Sequence, residues 1–412
     1  MLEKLRFRGF KSLAELEVQF PRLTVLFGPN AAGKSNILEA VEMLSRIATS
    51  RTVAEAFAGT VRGYPLEAFA FPKDGLPGLL RQPTAQLELN ACLKSQTERY
   101  NYRIAVEIQP ASGVLAVRDE YLARLNRNTD AAHGNPVVEQ IADKLLVRKK
   151  GKGSHPREEV AGLNHAILSD LRFSGDGYDA FDQCRKEFEA WRVYYLDPRV
   201  AMRSARPPAD VRDIGVLGAD IAPYLYRLRK EHPKHYNSIS RTLRSIIPSI
   251  ESVSVDLDEK RGTLDIQVRQ DGSDYSSRIV SEGTLRVLAL CAIAANPWAG
   301  GLVAFEEPEN GVHPRRLELI AKLLISLAVD QGRQVIVTTH SALFCDAILR
   351  LTSAHRSDIS LLSVVRKPGG TAVAPFDCPQ SFWTEIALEE DLSSPAEDGT
   401  FEGMLLRGLA DG

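Results

Sequence analysis

Hydrophobic and polar residues alternate along residues 5–20, with Leu5, Phe7, Leu16, Val18 and Phe20 as the apolar positions and Gly9 between the two halves. A period of two around a central glycine predicts an opening hairpin. Leu23–Phe27 is a short β-rich run that ends in glycine, and beyond it Ile37, Leu38, Val41 and Leu44 recur at helical spacing. Residues 85–93 and 101–108 are further strand candidates, and loops rich in Pro and Gly fill much of 57–83. The stretch 110–250 has another texture. Phe181, Cys184, Phe188 and Trp191 fall on one helix face, and 221–247 reads as two amphipathic helices around His232-Pro233, so this region is expected to be mainly helical. Alternation resumes at 252–268. Leu302–Phe305 and Val335–Thr338 are buried-strand runs separated by a helix carrying Leu317, Ile320, Leu323 and Leu324. Strand, helix and strand of this kind predict a parallel sheet covered by helices.

A chain of 412 residues is expected to hold two or three domains. The balance of 51 basic and 53 acidic residues excludes a globally basic nucleic-acid-coating protein, so any such surface would be a local patch. The best candidate patch is the basic, glycine-containing loop 148–158, which includes Arg148, Lys149, Lys150, Lys152 and Arg157. A solvated loop is the simpler reading of it. Five cysteines with no CxxC pair point to a reduced, cytoplasmic compartment. The N-terminus lacks an apolar signal region. Val287–Phe305 is about long enough to span a bilayer, but Asn296-Pro297 and Gly300-Gly301 interrupt it, predicting a buried helix, a turn and a buried strand, with no membrane association. After Trp383 the chain carries eight acids and one base, Arg407, an acidic tail expected to attach loosely. Phe401, Met404, Leu405 and Leu409 could form a short docking turn there, although fraying is the simpler reading.

The chemistry is concentrated in four places. Gly28-Pro29-Asn30-Ala31-Ala32-Gly33-Lys34-Ser35 matches G-x-x-x-x-G-K-[ST] between a strand and a helix, with Asn36 next in line. Glycines let successive N–H groups face an anion, Lys34 can reach terminal phosphates, and the Ser35 hydroxyl can ligate Mg²⁺. A chain of this length matches by accident only about 1–2% of the time. Second, Leu302–Phe305 runs into Glu306 and Glu307: one carboxylate at a strand end can hold Mg²⁺, and an adjacent one can polarise an attacking water. Third, Ser281-Glu282-Gly283-Thr284 opens a helix, where a plain N-cap by Ser281 is the simpler reading, although its hydroxyl, with N–H groups near Gly283, could meet a phosphate. Fourth, Val335–Thr339 ends at His340; a lone histidine after a strand is usually structural, but one that follows a carboxylate strand could donate to a γ-phosphate and sense its presence.

Taken in this order, the four elements resemble the ABC-type ATPase superfamily and, within it, the SMC/RecF-like branch and the overcoming-lysogenization-defect-like AAA-type ATPases. The run Glu306-Glu307-Pro308-Glu309-Asn310-Gly311-Val312-His313-Pro314 is similar to that branch's signature, as is the opening Phe7-Arg8-Gly9-Phe10-Lys11-Ser12. Tyr195-Leu196-Asp197-Pro198 and Gly218-Ala219-Asp220-Ile221 resemble insert motifs of the group. The resemblance implies an α/β fold, an ABC-type P-loop ATPase head with a mixed sheet, interrupted by a mainly helical insertion. The expected division is 1–110 and 251–375 for the two lobes of the head, 111–250 for the insertion and 376–412 for the tail. It implies ATP and Mg²⁺ as cofactors, with residues 28–36 binding phosphate, Ser35 and Glu306 on the metal, Glu307 as catalytic base, His340 as switch histidine, and Ser281 and Gly283 as the signature that meets the nucleotide of a second protomer. Two features depart from the pattern: Glu306 stands where Asp is usual, and SEGT replaces SGGQ, which argues against a transporter subunit. Gln82 and Gln86 are both candidates for the Q-loop glutamine.

About 35 residues follow the last expected strand, too few for a Toprim nuclease domain such as the larger relatives carry. The resemblance therefore implies a Mg-dependent ATPase that acts as a dimeric switch and controls a separate effector, a nuclease or toxin, in bacterial anti-phage defence. The alternative is a RecF-like DNA repair or recombination ATPase, with DNA or RNA as partner. A third reading, a module that holds ATP with negligible turnover, follows from the unusual Glu306.

Overall fold

The structure, a computed structural model, describes residues 1–59, 63–95, 98–150, 155–352 and 357–376. The acidic tail from 377 onward, with Cys378 and the 401–409 segment, and residues 151–154 of the basic loop lie outside the described residues. The chain forms two compact units. The first comprises Met1–Pro21, Pro29–Trp191 and Val364–Ala374, and the second Arg22–Gly28 and Arg192–Ser363 with the chain from Pro375.

In chain order the elements are β1 (Leu2–Phe10), β2 (Leu13–Gln19), β3 (Leu23–Phe27), α1 (Lys34–Thr49), α2 (Val53–Ala58), α3 (Gly75–Leu80), β4 (Ala85–Lys94), β5 (Arg99–Gln109) and β6 (Val114–Leu125). They continue with β7 (Val138–Ile141), β8 (Lys144–Val147), β9 (Arg157–Val160), α4 (Asp179–Glu189), β10 (Arg192–Tyr194), α5 (Ile221–Glu231), α6 (Pro233–Ile246), β11 (Ile250–Asp258), β12 (Thr263–Gln270) and β13 (Ser273–Ser276). The last are α7 (Glu282–Ala294), β14 (Leu302–Glu306), α8 (Leu317–Val329), β15 (Gln334–Thr339), α9 (Ala342–Thr352), β16 (Ile359–Lys367) and β17 (Gly370–Pro375).

The first unit is built on an antiparallel sheet ordered β2-β1-β4-β5-β6-β7-β8-β9. The expected hairpin is present, and its apolar positions Leu5, Phe7 and Phe10 are buried. Helix α4 presents Phe181, Cys184 and Phe188 inward, with the Phe188 ring centroid 5.4 Å from that of Tyr102 on β5. Ser45 on the P-loop helix α1 donates to Phe188 O at 2.7 Å, tying α1 to α4. This corrects the expectation of a mainly helical 111–250. That stretch holds four strands of the sheet as well as helices, and α4 shares a unit with α1.

The reason β6 escaped detection is physical. On β6 the register against β5 runs Ala105↔Asp119 and then Val106↔Val117, so Arg118 bulges out and the inward phase of the strand changes. Leu115 and Val117 face inward before the bulge, and Glu120 and Leu122 after it. A buried glutamate in a charged Arg118-Asp119-Glu120 run reads as loop from sequence. Inside the fold it is satisfied by Tyr102 OH (3.0 Å), Ile167 N (2.6 Å) and Leu168 N (2.9 Å).

Burial pushes the Glu120 carboxyl up to about 7, although the bonds from Leu168, Ile167 and Tyr102 oppose the rise. The folded state therefore keeps this proton after the unfolded chain, near 4.5, has lost it. The group's contribution to stability is complete below pH 4.5 and is lost as pH rises through 7, a change of order 3 kcal/mol. Glu120→Gln is expected to reduce the loss of stability between pH 4.5 and 7.5 by that order, read by urea unfolding at both pH values. An unchanged pH slope would contradict the assignment.

The second unit contains the expected parallel sheet, ordered β10-β14-β15-β3-β16. Residues Leu302–Phe305 of β14 and all of β15 are buried, as a sheet covered on both faces requires. Helix α7 buries Leu285 and every residue from Val287 to Ile293, which explains its membrane-like composition. Among the described residues no helix is long and apolar enough to cross a membrane. Tyr194 stacks on Phe305 at 5.6 Å between ring centroids. Helices α5 and α6 join at His232, with Pro233 as the first residue of α6, where its missing N–H costs nothing. They share one core with α7, α8 and the antiparallel β11-β12-β13 sheet. The boundary between the units at Trp191/Arg192 coincides with neither expected edge of the insertion.

Candidate functional site

Phe27, the last residue of β3, is in register with Thr339, and Thr338 with Glu306. Gly28, His340 and Glu306-Glu307 therefore lie along one edge of the second unit's sheet, at the carboxyl ends of three adjacent parallel strands. Open α/β sheets bind ligands at this edge.

The loop that leaves β3 takes a conformation few sequences tolerate. Gly28 has φ 151°, Ala31 φ 63° and Gly33 φ 109°. A Cβ on Gly33 would lie 2.1 Å from Thr371 Oγ1 and 2.8 Å from Ser12 Oγ, so both backbone and space demand glycine. Lys34 is buried, and its Nζ donates to Pro29 O at 2.9 Å, across the base of the loop. Gly33 caps α1 without a side-chain hydrogen bond to the helix, and the N-terminus of α1 brings its positive potential to the loop. Thr371 Oγ1 donates to Ala32 O at 2.9 Å and bonds Ser12 Oγ at 2.7 Å, and Asn36 Nδ2 donates to the same Ser12 Oγ at 2.7 Å. Asn36, expected on the nucleotide, is thus part of the loop's support. Ser12 and Thr371 were not expected, and no local pattern could have pointed to a partner far along the chain.

On the sheet edge, Glu307 adopts φ 47°, a left-handed conformation unusual for glutamate. Glu307 N donates to Thr338 O at 3.0 Å, and Asn310 N closes a turn on Glu307 O at 3.1 Å. His340 Nδ1 lies 2.8 Å from Glu307 Oε1, so the expected base and the expected switch histidine are paired. If Nδ1 carries the proton, the neutral ring's Nε2 is an acceptor, and it becomes a donor only in the imidazolium.

Ser281 caps α7, accepting from Thr284 N at 3.2 Å and donating to Thr284 Oγ1 at 2.9 Å. A Cβ on Gly283 would stand 2.2 Å from Gly311 O. This glycine lets the start of α7 rest on the turn after Glu307, a reason for its presence beyond any phosphate. The approach to the expected signature at Ser281 is organised by Arg203, whose guanidinium donates to the carbonyls of Pro198, Ser277, Arg278 and Val280 at 2.6–2.7 Å. Asp197, from the resembling Tyr195–Pro198 motif, accepts from Arg199 N (3.0 Å) and Val200 N (3.1 Å), and Arg199 Nε donates to Glu282 at 2.9 Å.

Two other expectations can be placed. Gln86 donates to Glu107 at 2.7 Å and both Gln82 and Gln86 are exposed, so neither is distinguished as a Q-loop residue. In the basic loop, Arg148 pairs with Glu139, Lys150 with Asp179 at 3.6 Å and Arg157 with Glu159 at 3.0 Å. These charges are partly spent inside the fold.

A nucleotide and Mg²⁺ suit the donors present. The loop offers N–H groups and Lys34 to phosphates. The Ser35 hydroxyl and the Glu306 carboxylate are hard oxygen donors, each within its own unit, and among the described residues no cluster of three His, Cys, Asp or Glu forms a closed cage. Mg²⁺ takes few protein ligands and completes its shell with water and substrate phosphates.

The chain is similar to several known proteins. Over 182 residues the chain is 28% identical to the DNA replication and repair protein RecF of Trichodesmium erythraeum (strain IMS101), covering 42% of this chain and 43% of that protein. It is 20% identical over 394 residues to the OLD nuclease of Thermus scotoductus (strain ATCC 700910 / SA-01), covering 90% of this chain and 66% of the nuclease. The chain thus spans less than half of the RecF relative. A solved SMC head bound to the C-winged helix domain of ScpA superposes with a TM-score of 0.51 at 17% identity, over 93% of this chain and 99% of that one, which shows the ABC ATPase head fold. Residues 23–346 match the family model described as "AAA domain, putative AbiEii toxin, Type IV TA system", and the chain belongs to that family, as an SMC/RecF-like ABC-type ATPase of OLD-like type.

Proposed function

We propose that the protein hydrolyses ATP with Mg²⁺ between two protomers and uses the resulting dimerisation to control a separate effector, a nuclease or toxin, in anti-phage defence. The observation that carries the reading is the Glu307–His340 pair beside the end of the Glu306 strand, on the same sheet edge from which the P-loop departs. In this reading residues 28–35 and Lys34 hold the phosphates, and Ser281 of one protomer meets the nucleotide of the other. Mg²⁺, held by Ser35 and Glu306, supplies neutralising charge to the phosphate oxygens. Glu307 accepts the proton of the attacking water through the oxygen that His340 leaves open, and His340 fixes the orientation of the carboxylate. Neither half-site alone surrounds the terminal phosphate, so nucleotide state becomes oligomeric state.

The effector role is supported by the OLD nuclease, which aligns over most of this chain, and by the family description's toxin–antitoxin term. RecF relatives favour a second reading, a DNA repair ATPase. Salt-sensitive, ATP-dependent DNA binding lost in a combined Arg148→Ala, Lys149→Ala and Lys150→Ala variant would favour it. The proposal itself is tested by phosphate release from ATP: repeated turnover with Mg²⁺ and none after EDTA is expected, and turnover indifferent to EDTA would contradict it.

A further inference from the structure

The turn after β14 carries a third carboxylate, Glu309, to which the hydrolytic reading gives no role. It is only 5% exposed. Its Oε1 accepts a hydrogen bond from Thr339 Oγ1, and the same hydroxyl oxygen accepts from Ser341 N at 2.9 Å. Thr339 ends β15 and precedes His340. Glu309 lies two residues beyond Glu307, in a turn closed by Asn310 N to Glu307 O and by Val312 N to Glu309 O at 3.0 Å. One hydrogen bond thus ties the turn that carries Glu307 to the strand end that carries His340.

The second oxygen, Glu309 Oε2, is buried with no hydrogen-bond partner among the described residues, and so is Nε of Arg286 on α7. Burial lowers the Arg286 pKa, and of the acids that oppose this Glu309 acts most strongly, ahead of Glu282, Glu307 and Asp197. A buried polar atom without a partner is costly, more so when charged, and one contact between two such groups of opposite charge relieves both. The helix that carries Arg286 begins at the signature, and Gly283 seats it against the carbonyl of Gly311 in the same turn.

We propose that Glu309 is a positioning residue for hydrolysis, and that an Arg286–Glu309 contact transmits engagement of the signature helix to the Glu307–His340 pair. In this proposal a phosphate drawn to Ser281 shifts α7 so that the contact closes, and the closed contact fixes the turn on which Glu307 stands. Nucleotide bound by the partner subunit at one protomer's signature thereby prepares that protomer's own base, so the two sites of a dimer act together. The inference rests on Glu307 as base.

The test compares steady-state ATP turnover and mant-ATP binding in the full-length wild type, Glu309→Gln, Arg286→Ala and the double variant, with Glu307→Gln alongside. Each single change is expected to lower kcat at least tenfold while KM and mant-ATP affinity stay within twofold. The double variant is expected to be no slower than the slower single. Thr339→Val is expected to lose rate like Glu309→Gln, and Thr339→Ser, which keeps the hydroxyl, to recover it; this pair decides the matter if Glu309→Gln does not fold. Wild-type kcat in Glu309→Gln and Arg286→Ala, losses that multiply in the double variant, or an effect confined to KM would each overturn the proposal. If Glu307→Gln turns over like wild type, the base assignment fails. If only Glu307→Gln is slow, that assignment stands and this inference falls.

Discussion

Glu307→Gln is expected to lower the rate of phosphate release by about a hundredfold or more, the lower end of what a positioned general base contributes, while ATP binding persists. Gln keeps the length and shape of the side chain and can still accept from His340, so the geometry of the turn survives. The amide cannot take up a proton from water. The backbone conformation makes the expectation specific: Glu307 is held at φ 47° by its own N–H on Thr338 O and by the Asn310 turn, an arrangement that aims one carboxylate at the sheet edge at some conformational cost. Such strain is maintained where a side chain must point in one direction. Turnover within threefold of wild type would remove Glu307 from the chemistry.

Lys34→Ala is expected to act at the earlier step and weaken ATP binding about 30-fold or more, the equivalent of roughly 2 kcal/mol for one lost charge-assisted contact. The Lys34 side chain is buried along its stem and its Nζ already spans the loop to Pro29 O, so its ammonium is oriented before a ligand arrives. Removing it takes away a cation for the phosphates and the tie across the loop base. Mant-ATP titration of both proteins measures the change. Unaltered affinity would mean that the loop is not where nucleotide is held.

How much of this could be read from sequence depends on how local each feature is. The P-loop and the Glu306-Glu307 strand end were legible because their chemistry is written in eight consecutive residues and in one apolar run. The hairpin and the helix pair around His232-Pro233 followed from periodicity, and the β3, β14 and β15 strands from short continuous apolar runs. The support of the P-loop was not legible, because Ser12 and Thr371 come together across nearly the whole chain. In 111–250 the strand β6 was hidden by the bulge at Arg118 and by a glutamate that is satisfied only once Tyr102 and the 167–168 backbone surround it. Gly283 was legible as a glycine at a helix start, but its closeness to Gly311 O belongs to tertiary packing. Glu309 stood inside the family-like run Glu306–Pro314, and only its burial against Thr339 separates it from its neighbours.

The most direct test of the central claim is the solution mass of Glu307→Gln by size-exclusion light scattering, with and without ATP and Mg²⁺. The account predicts a shift to a dimer with ATP and Mg²⁺ that is absent without nucleotide and absent in the combined Lys34→Ala, Glu307→Gln variant. A mass that does not change with nucleotide would contradict a switch in which ATP joins two protomers.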